Sequence, residues 1–222
     1  MSINKVYEGP DDLPHLIPVF PLSGALLLPR GQMPLNIFEP RYLNMIDDCM
    51  RSHRIFGMIQ PGFDGAGGKE HPVLQSIGCA GRITQLAETG DGRYVLTLSG
   101  IARFRIIQEV PATTPYRQCA VDYAAYADDF IANQGASAVD RDGVLRALKD
   151  FAAANKLEVE WDSINEAPNE ALVNALSMMS PFGPKEKQAL LEAADLSLRA
   201  QVLIAISEME VAKGSGASTS LQ

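Results

Sequence analysis

Apolar residues in the first half of the chain come in short runs broken by proline: Ile17-Pro18-Val19-Phe20-Pro21-Leu22, then Leu28-Pro29-Arg30-Gly31, then Pro34-Leu35-Asn36-Ile37-Phe38-Glu39-Pro40-Arg41-Tyr42. Proline cannot donate to a strand ladder, so these runs predict strand ends or edge strands joined by sharp corners. Pro40 suits a first helical position, and Glu39 places negative charge at that helix N-terminus. Tyr42, Leu43, Ile46 and Met50 then recur at helical spacing. The prediction is strand, corner, strand, short helix. Residues 78–87, 94–98 and 102–110 are rich in β-branched and aromatic side chains and read as strands. Thr89-Gly90-Asp91-Gly92 reads as a hairpin turn between the first two. Residues 116–123 alternate imperfectly and are placed to close the sheet. Residues 62–71 form a glycine-rich loop, expected to be mobile.

Composition shifts to Asp, Asn, Gly and Ala over residues 127–137, which marks a boundary. Beyond it the period is helical. Val144, Leu145, Leu148, Phe151 and Ala152 share a face over residues 139–154. Pro168 opens a second helix carrying Leu172, Val173, Leu176 and Met179, and Pro184 opens a third. Asp195 caps a fourth through Glu210, with Leu198, Val202, Leu203, Ile206 and Met209 on its apolar positions. Residues 159–164, which contain Trp161, match neither period cleanly. The fold class is α+β: a β-barrel over residues 14–126 with one short helix, a linker over 127–137, a small helical bundle over 138–212 and a disordered Gly/Ser/Thr-rich tail over 213–222.

The proline-rich opening resembles the amino-terminal, substrate-binding domain of the Lon protease family. The resemblance continues in order through Phe56-Gly57-Met58-Ile59, Gly78-Cys79-Ala80-Gly81-Arg82-Ile83, Asp91-Gly92-Arg93-Tyr94 and Gly100-Ile101-Ala102-Arg103-Phe104-Arg105, then Lys187-Gln188-Ala189-Leu190-Leu191-Glu192 with Arg199 after it. It spans about residues 14 to 210 and implies that the barrel is PUA-like. It identifies Pro18, Phe20, Pro21, Leu22, Pro34, Leu35, Phe38, Glu39, Pro40, Arg41, Tyr42, Gly100, Arg103 and Phe104 as family-motif residues, read as structural. Glu39 and Arg41 admit two roles, a polar ligand contact or a pin for the helix start.

In a full Lon protease this region precedes an ATPase and a protease with a serine–lysine dyad; the chain ending at Gln222 is expected to be a free-standing copy without them. The nearest match to a phosphate-binding loop, Gly65-Ala66-Gly67-Gly68-Lys69-Glu70, has Phe63 where the first glycine belongs and Glu70 where the metal-binding hydroxyl belongs. The three histidines, His15, His53 and His71, are scattered, and Cys49, Cys79 and Cys119 form no zinc spacing. No catalytic residue, metal or cofactor is expected. An odd cysteine count, a polar N-terminus and the lack of an apolar run of about eighteen residues predict a cytoplasmic protein that does not enter membranes.

Charge is uneven. Residues 1–126 hold 11 Lys and Arg against 12 Asp and Glu, and residues 127–222 hold 8 against 15. An acidic chain is a poor polyanion binder. RNA binding through the PUA-like barrel, with Arg82, Arg93, Arg103, Arg105 and Arg117 gathered on one face, is therefore the alternative reading. The leading reading, implied by the resemblance, is a non-catalytic recognition module or adaptor in protein quality control. It would bind unfolded or degron-bearing polypeptides, with a separate protease as a further partner. An edge strand and an apolar groove would serve such a ligand. The candidate contacts are Leu26, Leu27 and Leu28, as an exposed rim or else a buried strand, and Met178 and Met179, whose flexible sulfur side chains suit an adaptable groove or else a core.

Overall fold

The structure, a computed structural model, describes residues 6–68 and 71–217. The described chain begins with a short 3-10 turn, Pro10–Asp12, and then forms β1 (Leu16–Pro21), β2 (Gln32–Ile37), α1 (Pro40–Arg51), β3 (Ile55–Ile59), β4 (Ile77–Glu88), β5 (Tyr94–Val110) and β6 (Gln118–Asp122). Two 3-10 segments, Ala124–Phe130 and Ala136–Ala138, lead into α2 (Arg141–Asn155), α3 (Trp161–Glu166), α4 (Asn169–Met179), α5 (Pro184–Glu192) and α6 (Leu196–Ala217). This is the α+β order that the sequence predicts.

Five strands close a ring. β4 pairs antiparallel with β3 and β5, β6 pairs antiparallel with both β5 and β1, and β1 pairs parallel with β3. Register shifts at Ala80/Gly81, Ile83/Gln85 and Ile106/Gln108 bend the long strands into closure. β5 is one strand where the sequence suggests two, because Gly100 continues it. A Cβ at Gly100 would lie 2.1 Å from the Leu28 carbonyl oxygen, so glycine lets the Leu26–Leu28 segment lie against the strand without a break. The hairpin tip at Asp91-Gly92 is as predicted, closed by Thr89 N–H donating to Arg93 O at 2.8 Å.

β2 stands outside the ring and pairs only with the first half of β5. Its proline is consistent with that place. Gly100 N–H donates to Gly31 O, which fixes the phase of the ladder. Met33, Leu35 and Ile37 therefore bond toward β5, and Gln32, Pro34 and Asn36 turn their main-chain groups outward. Pro34 sits where its missing donor costs no ladder bond.

Apolar side chains form two cores. One, with Ile17, Val19, Phe104, Val121 and Tyr123, fills the barrel. The other runs from Phe20, Leu27, Tyr42 and Ile46 on the barrel's outer side into Val144, Phe151, Leu172, Leu190 and Leu203 of the helices. The second core crosses the composition boundary. Residues 127–137 join the two regions, but not as a solvated linker, since Asp129 within them is buried. Asp140 caps α2, with Gly143 N–H donating to its Oδ1 at 2.9 Å, and Asp195 caps α6 through Leu198 N–H at 2.8 Å. Trp161 opens a one-and-a-half-turn helix whose C-terminal carbonyls are gathered by Arg141. α6 continues to Ala217, past the predicted end of the bundle; the rest of the predicted tail, 218–222, lies outside the described residues.

Candidate functional site

The helices meet the barrel along a seam that begins with Arg103 on β5. Its guanidinium makes a two-pronged bond to Asp129, with Nη2 to Oδ1 at 2.8 Å and Nε to Oδ2 at 2.9 Å. It also donates to the carbonyls of Leu191, Ala193 and Ala194, which end α5. Burial disfavours the Arg103 charge, yet the hydrogen bonds and charge of Asp129 outweigh it and hold the group protonated above its usual range. Beside it Arg199 donates to Leu190 O and Asn174 Oδ1, both at 3.0 Å, while its Nη2 has no partner among the described residues. Burial, then the Arg103 charge, lowers the Arg199 pKa to about 10. Gln60 and Gln188 complete this side, bonding to each other, to Pro184 O and to Ile77 O.

The seam does not close everywhere. Between the segment Arg30–Pro34 and α4 lies a cavity of about 560 Å³. Its barrel wall is Leu26 and Arg30 through Pro34; its helical wall is Pro168 and one face of α4, ending at Met178 and Met179. The floor is apolar and one end is polar. There Glu170 accepts from Arg30 through Oε1, and from Asn133 N–H through Oε2 at 2.7 Å. Asn174 donates to Pro29 O at 3.2 Å. Arg30 has φ of +63°, an uncommon left-handed conformation for a side-chain-bearing residue, and it aims this guanidinium across the seam. A Cβ on Gly31 would meet Met178 Sδ at 2.4 Å, so glycine is what allows the corner to approach α4. Lys187, buried, donates to Ser177 O and Met178 O and so holds the C-terminal turn of α4. Burial lowers its pKa to about 8.

The sequence candidates divide here. Met178 and Met179 line the cavity, and Met179 is 82% exposed. Leu26, Leu27 and Leu28 do not form an exposed rim; they are 2%, 1% and 0% exposed, and only Leu26 reaches the cavity wall. Their backbone is irregular, not strand, and Leu27 packs where Gly81 and Gly100 leave room. The sequence alone does not single out Arg30, Glu170 or Asn174. Arg30 lay within the proline-rich motif, and Glu170 offers no local signal.

The other motif residues take the following positions. The Phe20 ring packs at a tilt of 55° against that of Tyr42, centroids 4.3 Å apart, Tyr42 and Phe104 are buried, and Pro18, Pro21 and Leu35 sit in strands. Leu22 N–H donates to Ile59 O as β1 ends. Glu39 and Arg41 pair with each other at 2.8 Å at the head of α1, and Arg41 lies over the Tyr42 ring. Phe38 is 61% exposed. Of the five arginines considered for RNA, Arg103 is buried, Arg117 pairs with Glu109, Arg93 pairs with Asp91, Arg82 donates to Tyr7 and His53, and Arg105 is exposed. Lys69 and Glu70 of the phosphate-loop lookalike lie outside the described residues. Burial raises the Cys49 and Cys119 thiols to about 12 and about 11, and pushes Cys79 up as well, which keeps all three as neutral thiols. Among the described residues no helix is long and apolar enough to cross a membrane.

A family model described as the ATP-dependent protease La (LON) substrate-binding domain matches residues 16–206. "Lon protease 2" of Myxococcus xanthus is 27% identical over 206 residues, covering 87% of this chain and 24% of the relative. The chain spans about a quarter of the length of the curated relatives it matches. Among solved structures, the Lon N-terminal domain protein from Xanthomonas campestris aligns with TM-score 0.58 and 24% identity, covering 86% of this chain and 97% of that one. The N-terminal domain of Mycobacterium avium complex Lon protease aligns with TM-score 0.62 and 17% identity, covering 87% and 98%. At these identities the structural likeness concerns the fold.

Proposed function

Because the chain belongs to the Lon substrate-binding domain family, we propose that it is a protein-recognition module whose polypeptide-binding surface is the groove between β2 and α4. The observation that carries this is the groove itself. It is an apolar cleft of about 560 Å³ at the junction of two regions, floored by Leu26 and Met33 and bounded by the exposed Met179. Thioether side chains adapt to varied apolar surfaces, which suits a ligand defined by unfolding more than by sequence. On this reading the module is non-catalytic. It captures unfolded or degron-bearing polypeptides in protein quality control and passes them to a protease.

Fluorescence anisotropy tests it, with the purified chain titrated into a labelled, permanently unfolded polypeptide, its folded form and single-stranded RNA. Saturable binding to the unfolded chain alone, weakened by Met179→Asp, is the expected result. Binding that ignores Met179→Asp places recognition elsewhere on the surface. RNA binding that falls steeply with salt would favour the PUA-like RNA reading instead.

A further inference from the structure

Granted that the groove receives polypeptide, on which this inference rests, we propose that the guest binds as an added strand on the free edge of β2. It is an extended, mainly apolar segment with basic flanks. Three consecutive residues of β2, Gln32, Met33 and Pro34, line the groove next to the Arg30–Gly31 corner. Successive residues of extended chain face opposite sides, so a cleft that touches all of them runs along an edge of the strand, and β5 occupies the other edge.

The edge is supplied with unpaired main chain. Gln32 and Asn36 present both N–H and C=O outward and Pro34 presents C=O. Among the described residues no hydrogen bond reaches those two N–H groups. An added strand would use them as a sheet does, with side chains alternating between solvent and groove. A guest residue across from Met33 shares Met33's face and drops between Leu26 and Met178, which sets the requirement for apolar side chains at every second position. Main-chain pairing carries no sequence information, so this mode accepts many unfolded segments.

The flanks follow from charge. Glu170 is the one charged residue of α4, and the half of the chain to which α4 belongs, residues 127–222, carries 8 Lys and Arg against 15 Asp and Glu. At the polar end of the groove Arg30 is already neutralised by Glu170. The field at the groove therefore attracts cations and repels an acidic segment.

The test uses a short labelled peptide of alternating valine and threonine with lysine flanks, a glutamate-flanked copy, and a series methylated at one backbone nitrogen at a time. Methylation should weaken binding by about fivefold to tenfold at every second position, the loss of one hydrogen bond, and have little effect at the positions between. Gln32→Pro should weaken it similarly, and the methylation series covers the case in which that variant does not fold. The lysine-flanked peptide should bind more tightly than the glutamate-flanked one, by a margin that salt removes.

Sensitivity to Met179→Asp without any alternation in the methylation series would overturn strand addition and leave groove recognition standing. Binding of the unfolded polypeptide without binding of the peptide, while Met179→Asp still weakens the former, would do the same. Insensitivity of both ligands to Met179→Asp would overturn groove recognition, and the added strand with it. A concentration-dependent dimer displaced by the peptide would assign the edge to a second copy of the chain and overturn the proposal. Equal affinity for the two flanked peptides would overturn the basic-flank requirement.

Discussion

One seam between barrel and helices is built in two ways. On the Arg103 side the seam is closed by a buried polar network: an arginine holds Asp129 and the end of α5, with Gln60 and Gln188 beside it. On the Arg30 side the same two regions are held by a half-exposed ion pair at one end, and the rest of the seam is an open apolar groove. Both sides use an arginine on the barrel and a carboxylate from the following segment. They differ in desolvation. The Arg103 pair has given up water and depends on its partners, whereas the Arg30 pair keeps water at hand. The closed side positions the helices, and that positioning leaves the open side with a shaped cleft in place of a packed interface.

The comparison breaks most readily at Arg103. Arg103→Ala leaves the buried Asp129 carboxylate with only the residue 103 backbone N–H and takes the donor from three carbonyls, so a loss of about 3–5 kcal/mol is expected in urea denaturation. Replacing both partners, Arg103→Met with Asp129→Leu, should restore most of it, because the cost comes from the stranded charge. If the single variant lost under about 1 kcal/mol, the closed side would not be the structural joint.

Lys187 gives a pH-resolved version of the contrast. Its pKa falls from 10.5 in the unfolded chain to about 8 in the fold through burial. Between those values the unfolded chain binds the proton more strongly, so stability rises with pH from about 8 toward 10.5, with a slope of at most about 1.4 kcal/mol per pH unit. Lys187→Met should lack this slope, and subtracting its pH profile from that of the unaltered chain cancels the cysteines and tyrosines. A flat difference would mean that the amine is solvated. At the open side Glu170→Gln keeps the shape but not the charge facing Arg30. About 1 kcal/mol is expected, less than at Arg103 because Arg30 is screened by solvent.

Much of the fold was legible because its signals are local. Proline at Pro34 foretold an edge strand, Pro40 a helix start, Asp91-Gly92 a hairpin tip and Asp195 a cap. What was not legible depends on distant partners. Gly100 reads as a strand break, yet it is a close approach to Leu28. Residues 127–137 have the composition of a linker, yet Asp129 is drawn inside by an arginine 26 positions earlier. Leu26, Leu27 and Leu28 carry the same hydropathy whether they rim a groove or fill a core, and only the glycines opposite them decide it. Part of the groove lining was reachable: Met178 and Met179 stand out as a sulfur pair. Arg30 and Glu170 lie 140 residues apart, and no pattern in either neighbourhood points to the other.

The smallest expected change in stability belongs to Met179→Asp, and it separates the two sides most cleanly. Met179 ends α4 with 82% of its surface in solvent, so the folded state gives up little packing when the side chain becomes a carboxylate. A negative charge at a helix C-terminus opposes the helix dipole, but at an exposed site that costs only about 0.3–1 kcal/mol. The melting curve should therefore stay close to that of the unaltered chain. Affinity for unfolded polypeptide should instead fall by more than about tenfold, because a bound apolar side chain would face a carboxylate that has to be desolvated. Arg103→Ala should have the opposite signature: a large loss of stability, with affinity preserved per folded molecule at temperatures where folding persists. If the two variants changed stability and affinity in the same proportion, the open and closed sides would be one cooperative unit, and the groove would have no binding role separable from the fold.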